Sequence, residues 1–259
     1  MITFVKKKRV QKGSIHVFCR GNNRSTVFYN DFERYDFIRR LNRIAKCYDT
    51  RVQEFTLMDN HFHLQIRTEQ LSIFMKSLLQ GYVRWYNLRN STTDKLFKTP
   101  FNSACKYSAE WITESKLYIL QNPVKAGICE HPSQYKWSSY RFHFKQHNPL
   151  RSLIDIDTSE LDKEFKTKAA LDKALEERNY KISDIGESQP TNRERVPDHI
   201  VTEQISELLN GRSIFTLSTD EKEKLIMYLN DNTNASLRQI ASATHENYLH
   251  VLKLCKKQI

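Results

Sequence analysis

The segment Leu57-Met58-Asp59-Asn60-His61-Phe62-His63-Leu64-Gln65-Ile66 sets two histidines on either side of one large apolar residue. Its alternation is typical of a β-strand, in which His61 and His63 lie on one face and Phe62 and Leu64 on the other. At a strand rise of about 3.3 Å per residue, the two imidazoles start about 7 Å apart, within converging reach of one divalent ion. The pair is therefore half of a possible metal site, and further ligands must come from elsewhere in the chain.

The segments around this strand predict a sheet with helices. Strand patterns occur at 14–20, 52–57 and 104–107, and Met58-Asp59-Asn60 is typical of a hairpin turn. Apolar residues recur at helical spacing over 31–47 and 71–88. The order strand, helix, strand, strand, helix, strand predicts an α+β fold: a ferredoxin-like (RRM-like) antiparallel sheet with helices on one face and the other face open.

A further helix is predicted over 108–121, because Pro123 disfavours helical geometry in the residue before it. Tyr118 and Asn122 are four residues apart, so they share one helix face at about 6 Å along the axis. If this helix docks on the open sheet face, it brings both side chains to His61 and His63.

The sequence predicts that the chain is divided into three parts. Residues 1–148 form a first domain, which 133–144 closes, and 149–195 form a connector with one charged helix over 159–178 and a polar linker over 182–195. Residues 196–259 form an all-α domain. Helical patterns in that domain cover 199–209, 219–229, 236–243 and 246–257.

Part of the last domain is similar to a DNA-binding helix-turn-helix. The motif is Ser236-Leu237-Arg238-Gln239-Ile240-Ala241-Ser242-Ala243-Thr244 followed by Val251, with His245 where a turn glycine is usual. The second helix of such a motif enters the major groove of DNA. The alternative is a small helical bundle that packs on the first domain.

The composition predicts a globular protein with a polyanionic partner. The chain has 259 residues, 39% of them hydrophobic, and a formal net charge of +11. Clustered Lys and Arg gain free energy by releasing counterions from phosphates, so nucleic acid is the first partner to consider. No apolar run approaches the roughly 18 to 20 residues of a membrane span, so we expect a cytoplasmic protein without a membrane partner. The five widely spaced cysteines indicate free thiols rather than a zinc or redox site.

Each site residue also has an ordinary structural interpretation. Two histidines on a strand face are often only hydrogen-bonded, Tyr118 can pack on the sheet through its ring, and Asn122 can simply end a helix. The residues alone therefore leave open a basic ferredoxin-like domain that binds nucleic acid with or without a metal.

Four motifs together resemble the single-tyrosine transposases of the HUH class, in the branch associated with bacterial repetitive extragenic palindromes. They span roughly 14–144 and occur in the order Arg20-Gly21-Asn22, 57–64, Tyr118-Ile119-Leu120-Gln121-Asn122-Pro123-Val124-Lys125-Ala126-Gly127 and Trp137-Ser138-Ser139-Tyr140. One departure lies before the last strand, where Thr99 and Pro100 stand in place of the Gly and Arg that members commonly carry.

The resemblance implies a site and a reaction. His61, His63 and Asn122 would hold Mg²⁺ or Mn²⁺, and Tyr118 would be the nucleophile that forms a 5′-phosphotyrosine during metal-dependent cleavage and transfer of single-stranded DNA beside a hairpin. It leaves open whether the protein is a monomer or a homodimer with the tyrosine helix serving its partner.

Candidates for DNA contact are basic or aromatic residues near the motifs. Phosphate contacts are expected from 6–12, Arg84, Arg89 and Lys125, and base stacking from Trp85 or Tyr86. Two other functions stay possible: a nucleic-acid-binding or transcription-regulating module without chemistry, and a metal-dependent nuclease that uses activated water and leaves no protein-DNA link.

Overall fold

The computed structural model describes residues 9–93, 95–98, 101–177, 196, 198–233 and 235–256. Its sheet has four strands, which are β1 Gly13–Arg20, β2 Arg51–Met58, β3 His61–Thr68 and β4 Asn102–Lys106. They lie in the order β2-β3-β1-β4, and all neighbours are antiparallel. The α+β, ferredoxin-like prediction is confirmed.

Two long helices cover one face of the sheet. Helix α1 is Asp31–Cys47, with the Glu33 amide donating to the Asn30 side chain at its start, and α2 is Leu71–Asn90. The ring centroid of Phe37 on α1 lies 5.1 Å from that of Tyr82 on α2 and 4.8 Å from that of Phe62 on β3. The main hydrophobic core therefore lies between this helix layer and the apolar face of β3.

A buried turn fixes the start of β3. The carboxylate of Asp59 forms an ion pair with Arg34, and both side chains are about nine-tenths buried. The backbone oxygen of Asp59 accepts hydrogen bonds from the amides of Val27 and Phe28 at 2.7 and 2.9 Å. The predicted hairpin is confirmed, and its turn is tied to the core on two sides immediately before His61.

The open sheet face carries the next helices. Helix α3 is Ala109–Leu120, capped by the Ser108 side chain, and α4 is Asn122–Lys125. The Thr56 hydroxyl donates to the Ile119 oxygen and the Ser115 hydroxyl to the Gln65 side chain, both at 2.8 Å. Polar contacts therefore seat α3 on the sheet.

The connector begins with two helices and not one. Helix α5 is Ser159–Phe165 and α6 is Lys168–Glu176, so the prediction of one helix over 159–178 is wrong. The chain breaks at Lys166, whose φ of +59° is left-handed, and the side chain of Thr167 then caps α6. The division of the chain at 148 and 195 stays a prediction. The linker over 182–195, the basic residues 6–8, Thr99 and Pro100 lie outside the described residues.

The connector helices pack on the outer side of α3. Their apolar side chains share a small cluster with that helix and with Tyr140. The fully or nearly fully buried members of this cluster are Leu117, Leu120, Tyr140, Leu161, Leu171 and Leu175. Helix α3 is therefore held between the polar sheet face and an apolar helical layer.

A buried ionic cluster joins the connector to the sheet. His143 and Glu54 are both fully buried, and the His143 ring contacts Asp162 of α5 at 2.7 Å and Glu54 of β2 at 3.3 Å. Burial alone would lower the pKa of His143, but the two carboxylates outweigh it and raise this pKa to about 9. His143 is therefore an imidazolium at neutral pH.

The last part of the chain is helical, as predicted. It contains α7 Asp198–Leu209, α8 Thr219–Asn232, α9 Leu237–Thr244 and α10 Tyr248–Lys256. Helices α9 and α10 are joined by His245-Glu246-Asn247, and His245 adopts the left-handed conformation (φ +56°) that a glycine would adopt at lower cost.

This helical part docks on the first domain. The Tyr29 hydroxyl donates to the Ala243 oxygen at 2.6 Å, and the Ser213 hydroxyl donates to the Asn90 side chain at 2.8 Å. The Phe215 ring lies 5.9 Å from the Tyr86 ring of α2, between centroids. Among the described helices, none is both long and apolar enough to span a membrane.

The His143 cluster predicts a pH-dependent stability. A pKa raised above the unfolded value of 6.5 adds stability in full below pH 6.5, and this contribution is lost as pH rises through about 9. We expect the free energy of unfolding to fall by up to about 3 kcal/mol between pH 7 and pH 10. Urea denaturation followed by tryptophan fluorescence measures it, because all three tryptophans lie between residues 85 and 137. His143→Gln should flatten this pH dependence, and an equally steep slope in that variant would contradict the prediction.

Candidate active site

His61 and His63 project from β3 toward α3. Their ring centroids are 5.3 Å apart, with His63 buried and His61 half-buried. Phe62 and Leu64 point the other way and are fully buried in the core. The alternation predicted for this strand is therefore observed.

Tyr118 lies beside the histidine pair of its own chain. Its ring centroid is 5.7 Å from that of His63, in an edge-on arrangement. The ammonium of Lys125, on α4, lies 3.9 Å from the centre of the same ring. This is a cation–π contact, and the Tyr118 side chain is half-buried.

Asn122 is the first residue of α4, two residues after the end of the tyrosine helix α3. Its side-chain nitrogen donates to the backbone oxygens of Tyr118 at 2.9 Å and Ile119 at 3.4 Å. No described residue forms a hydrogen bond with its side-chain oxygen, which is the atom that could bind a cation. The structure places it one helical turn after Tyr118, as predicted, and its role as a ligand stays a prediction.

Asn60 sets the tautomer of His61. The Asn60 side-chain nitrogen faces two acceptors, the Arg24 oxygen at 3.3 Å and the Asp198 carboxylate at 3.4 Å, so its oxygen is the atom 2.6 Å from Nδ1 of His61. An amide oxygen only accepts, so Nδ1 of His61 carries the hydrogen and Nε2 keeps a lone pair. Nε2 has no hydrogen-bond partner among the described residues and is available to a metal ion.

Both histidines are in the neutral form that metal ions require. Burial lowers the pKa of His61 to about 3, and Arg20 adds to the effect. Burial also lowers the pKa of His63 well below its usual value, with the charges of His61 and His16 as further causes. Each ring is therefore neutral at physiological pH and keeps one nitrogen with a lone pair for ligation.

A third histidine, which the sequence analysis did not single out, adjoins the pair. His16 of β1 lies with its Nε2 2.9 Å from Nδ1 of His63, and its ring centroid is 5.7 Å from that of Tyr118. The available signal was the alternation of β1, which puts His16 and Phe18 on one face. That signal becomes informative only once β1 is known to pair with β3.

The donor set fits a divalent ion with open positions. No group of three or more His, Cys, Asp or Glu side chains in the described part of the chain has the geometry of a metal site. The candidate set has instead two imidazole nitrogens and one amide oxygen. Three protein ligands would leave positions for phosphate and water on an octahedral ion such as Mg²⁺ or Mn²⁺.

Comparison with known proteins bears on residues 9–125. This segment matches the family model described as "Transposase IS200 like". Residues 9–125 are therefore similar to an IS200-like transposase. The match runs from the residues before β1 to the end of α4, so it includes His61, His63, Tyr118 and Asn122.

Other comparisons add little to that match. No curated protein matches the sequence. A solved structure, described as a REP-associated tyrosine transposase bound to a REP hairpin, matches with a TM-score of 0.47 and 12% identity. The alignment covers 61% of this chain and 94% of that one.

The aromatic residues of α2 lie on the opposite face of the sheet from Tyr118. Tyr86 is almost fully buried, so the expectation that it stacks on a base is wrong. Trp85 packs against Tyr82 at 5.4 Å and Phe32 at 5.8 Å between ring centroids. Two of the cations proposed to contact DNA lie over aromatic rings. Lys125 lies over the Tyr118 ring, whereas Arg89 lies over the Phe32 ring.

A buried lysine holds the tyrosine helix from its outer side. The side chain of Lys116 is 1% exposed, and its ammonium lies 2.8 Å from the Glu160 carboxylate of α5. Glu160 also pairs with Arg67 of β3 at 2.9 Å. One connector carboxylate therefore links the helix that carries Tyr118 to the strand that carries the histidines.

We expect Glu160→Gln to lower the free energy of unfolding by about 1–3 kcal/mol, because it leaves the Lys116 charge buried without its partner. Urea denaturation with tryptophan fluorescence measures the change. Adding Lys116→Met to that variant should recover part of the loss, since the buried charge is then removed. Equal or greater destabilisation of the double variant would count against this prediction.

Proposed function

We propose that this chain is a DNA transposase that cleaves and rejoins single-stranded DNA through a covalent tyrosine intermediate. His61, His63 and Asn122 would hold Mg²⁺ or Mn²⁺, and Tyr118 would attack the phosphate. The observation that carries this proposal is the position of Tyr118, with its ring 5.7 Å from that of His63 in the same chain. The match of residues 9–125 to IS200-like transposases supports it.

The residues suggest how the reaction proceeds. The Tyr118 oxygen loses its proton to solvent and attacks phosphorus, so that an O–P bond forms and the bond to the 3′-oxygen breaks. That 3′-oxygen leaves and takes up a proton, while the 5′-phosphate stays on Tyr118. A bound divalent cation would polarise and orient the phosphate. Attack by another 3′-hydroxyl reverses the step, and because the ester keeps the bond energy, no nucleotide cofactor is needed.

Lys125 assists the nucleophile in this proposal. Its ammonium lies over the Tyr118 ring, where it stabilises the phenolate before attack and the phosphate charge during attack. Since Tyr118, Lys125 and both histidines belong to one chain, a monomer would contain a whole site. The alternative in which the tyrosine helix serves a partner subunit is less favoured by this arrangement.

We propose that the C-terminal helices bind DNA beside the cleavage site. Helix α9 faces the first domain through Ser242 and Ala243, whereas Tyr248, Leu249 and Lys253 of α10 are exposed. A helix-turn-helix uses its second helix to enter the major groove, so the exposed face of α10 suits the stem of a hairpin. The net charge of +11 favours such a partner. We assign the protein to the cytoplasm, where its DNA lies.

Two other functions make different predictions. A nuclease that activates water would cut the same DNA and leave no link to the protein. A module that only binds nucleic acid would neither cut nor form a link. The charge is the same in all three cases, so only the chemistry of Tyr118 separates them.

We expect a covalent adduct when the protein is incubated with Mn²⁺ and labelled DNA hairpins that carry single-stranded flanks, taken from the DNA around its own gene. A denaturing gel detects the adduct. Tyr118→Phe should abolish it, because the phenyl ring keeps the packing and lacks the nucleophile, and EDTA should abolish it as well.

Tyr107→Phe is the matched control, since Tyr107 is 74% exposed at the start of the segment that leads into α3. It should keep the adduct. An unchanged adduct in Tyr118→Phe would exclude the assignment of the nucleophile. Cut DNA without any adduct in the wild-type protein would favour the water-activating nuclease.

A further inference from the structure

His16 occupies a position that the proposed reaction does not use. It lies on β1 diagonally across from His63, since His16 pairs with Gln65 and Phe18 pairs with His63. The two imidazoles are stacked with their centroids 5.2 Å apart and their planes inclined by 30°. Nε2 of His16 and Nδ1 of His63 are 2.9 Å apart, which is a hydrogen-bond distance.

Between two neutral imidazoles, one ring must donate and the other must accept. If His16 donates, Nδ1 of His63 accepts, and the proton of His63 then sits on Nε2, where it blocks a metal ion. If His63 donates, its Nε2 keeps a lone pair. No described residue forms a hydrogen bond with Nε2 of His63, so this atom stays available to a ligand.

The neighbouring histidine shows which arrangement the site uses. Nδ1 of His61 donates to Asn60, an outer partner that can only accept there, and its Nε2 is left free. His16 stands toward His63 as Asn60 stands toward His61: each contacts Nδ1 and leaves Nε2 untouched. Ligating histidines almost always donate their second N–H to such an outer partner.

We infer that His16 is a positioning residue, which accepts the Nδ1 hydrogen of His63 and so keeps the Nε2 lone pair of His63 free for a metal ion. It is not a third ligand, because the nitrogen nearest the pair is already hydrogen-bonded to His63. This inference rests on the proposed metal site. It gives His16 of β1 the same role toward His63 that Asn60 of the hairpin turn has toward His61, which is to accept the Nδ1 hydrogen.

The test compares Mn²⁺ affinity in the full chain without DNA, by isothermal titration calorimetry or by the loss of the free Mn²⁺ signal in electron paramagnetic resonance. His16→Leu removes the acceptor, and we expect about 10- to 100-fold weaker binding, the usual effect of losing an outer partner of a ligand. His16→Gln restores an amide oxygen that can accept, and we expect affinity within about threefold of wild type.

His147→Leu is the matched control, because it makes the same chemical change at an exposed histidine outside the site. It should bind Mn²⁺ as the wild type does. Circular dichroism checks that each variant is folded.

A second measurement does not depend on the variants. Nitrogen-15 NMR of the histidine rings in the metal-free wild-type protein reports which nitrogen carries hydrogen. We expect the Nδ1–H tautomer for His63. The Nε2–H tautomer would overturn the inference even if His16→Leu did not fold.

The outcomes separate this inference from the proposed function. Equal Mn²⁺ affinity in wild type, His16→Leu and His16→Gln would overturn the role of His16 and leave the metal site in place. A wild-type protein that binds no Mn²⁺, with the same result for His61→Ala, would overturn both. Weak binding in His16→Leu with recovery in His16→Gln supports the role, because a change in packing alone would not restore binding with an acceptor.

Discussion

The alternation of β3 is the constraint on which the molecule depends. Phe62 and Leu64 are fully buried against the helix layer, so His61 and His63 must face the other way. A slip of one residue would put two imidazoles into the apolar core and two large apolar side chains onto the sheet face that α3 covers. The Asp59 turn prevents that slip, because the ion pair with Arg34 and two backbone hydrogen bonds hold it immediately before His61.

The position of α3, the helix that carries Tyr118, depends on polar contacts on one side and apolar contacts on the other. On its sheet side α3 is seated by hydrogen bonds from Thr56 and Ser115, and on its outer side Leu117 and Leu120 pack against the connector. Hydrogen bonds give the helix a fixed register on the polar sheet face, while burial of apolar surface supplies the free energy that keeps it there. The position of the site therefore depends on both faces of one helix, although only one face carries Tyr118.

The sequence predicted the elements with strong local patterns and missed those that arise from distant pairing. Helix α1 begins and ends at the predicted residues, because its apolar spacing and the Asn30 cap are local signals. His16 and Asn60 were not recognised as neighbours of the pair, since their contacts depend on strand order and on the conformation of a turn. The break at Lys166 was also missed. A lysine is common within charged helices, so nothing in the sequence indicates that this one adopts a left-handed conformation.

Asn60 also connects the histidine strand to the last part of the chain. Its amide contacts the Asp198 carboxylate of α7, which in turn accepts a hydrogen bond from Gln239 of α9 at 2.7 Å. The two modules therefore meet at a side chain that orients His61. In evolution, a new C-terminal module could not be exchanged freely: any replacement would have to fit against Asn60 without disturbing its hydrogen bond with His61, so the two parts of the chain are expected to be inherited together.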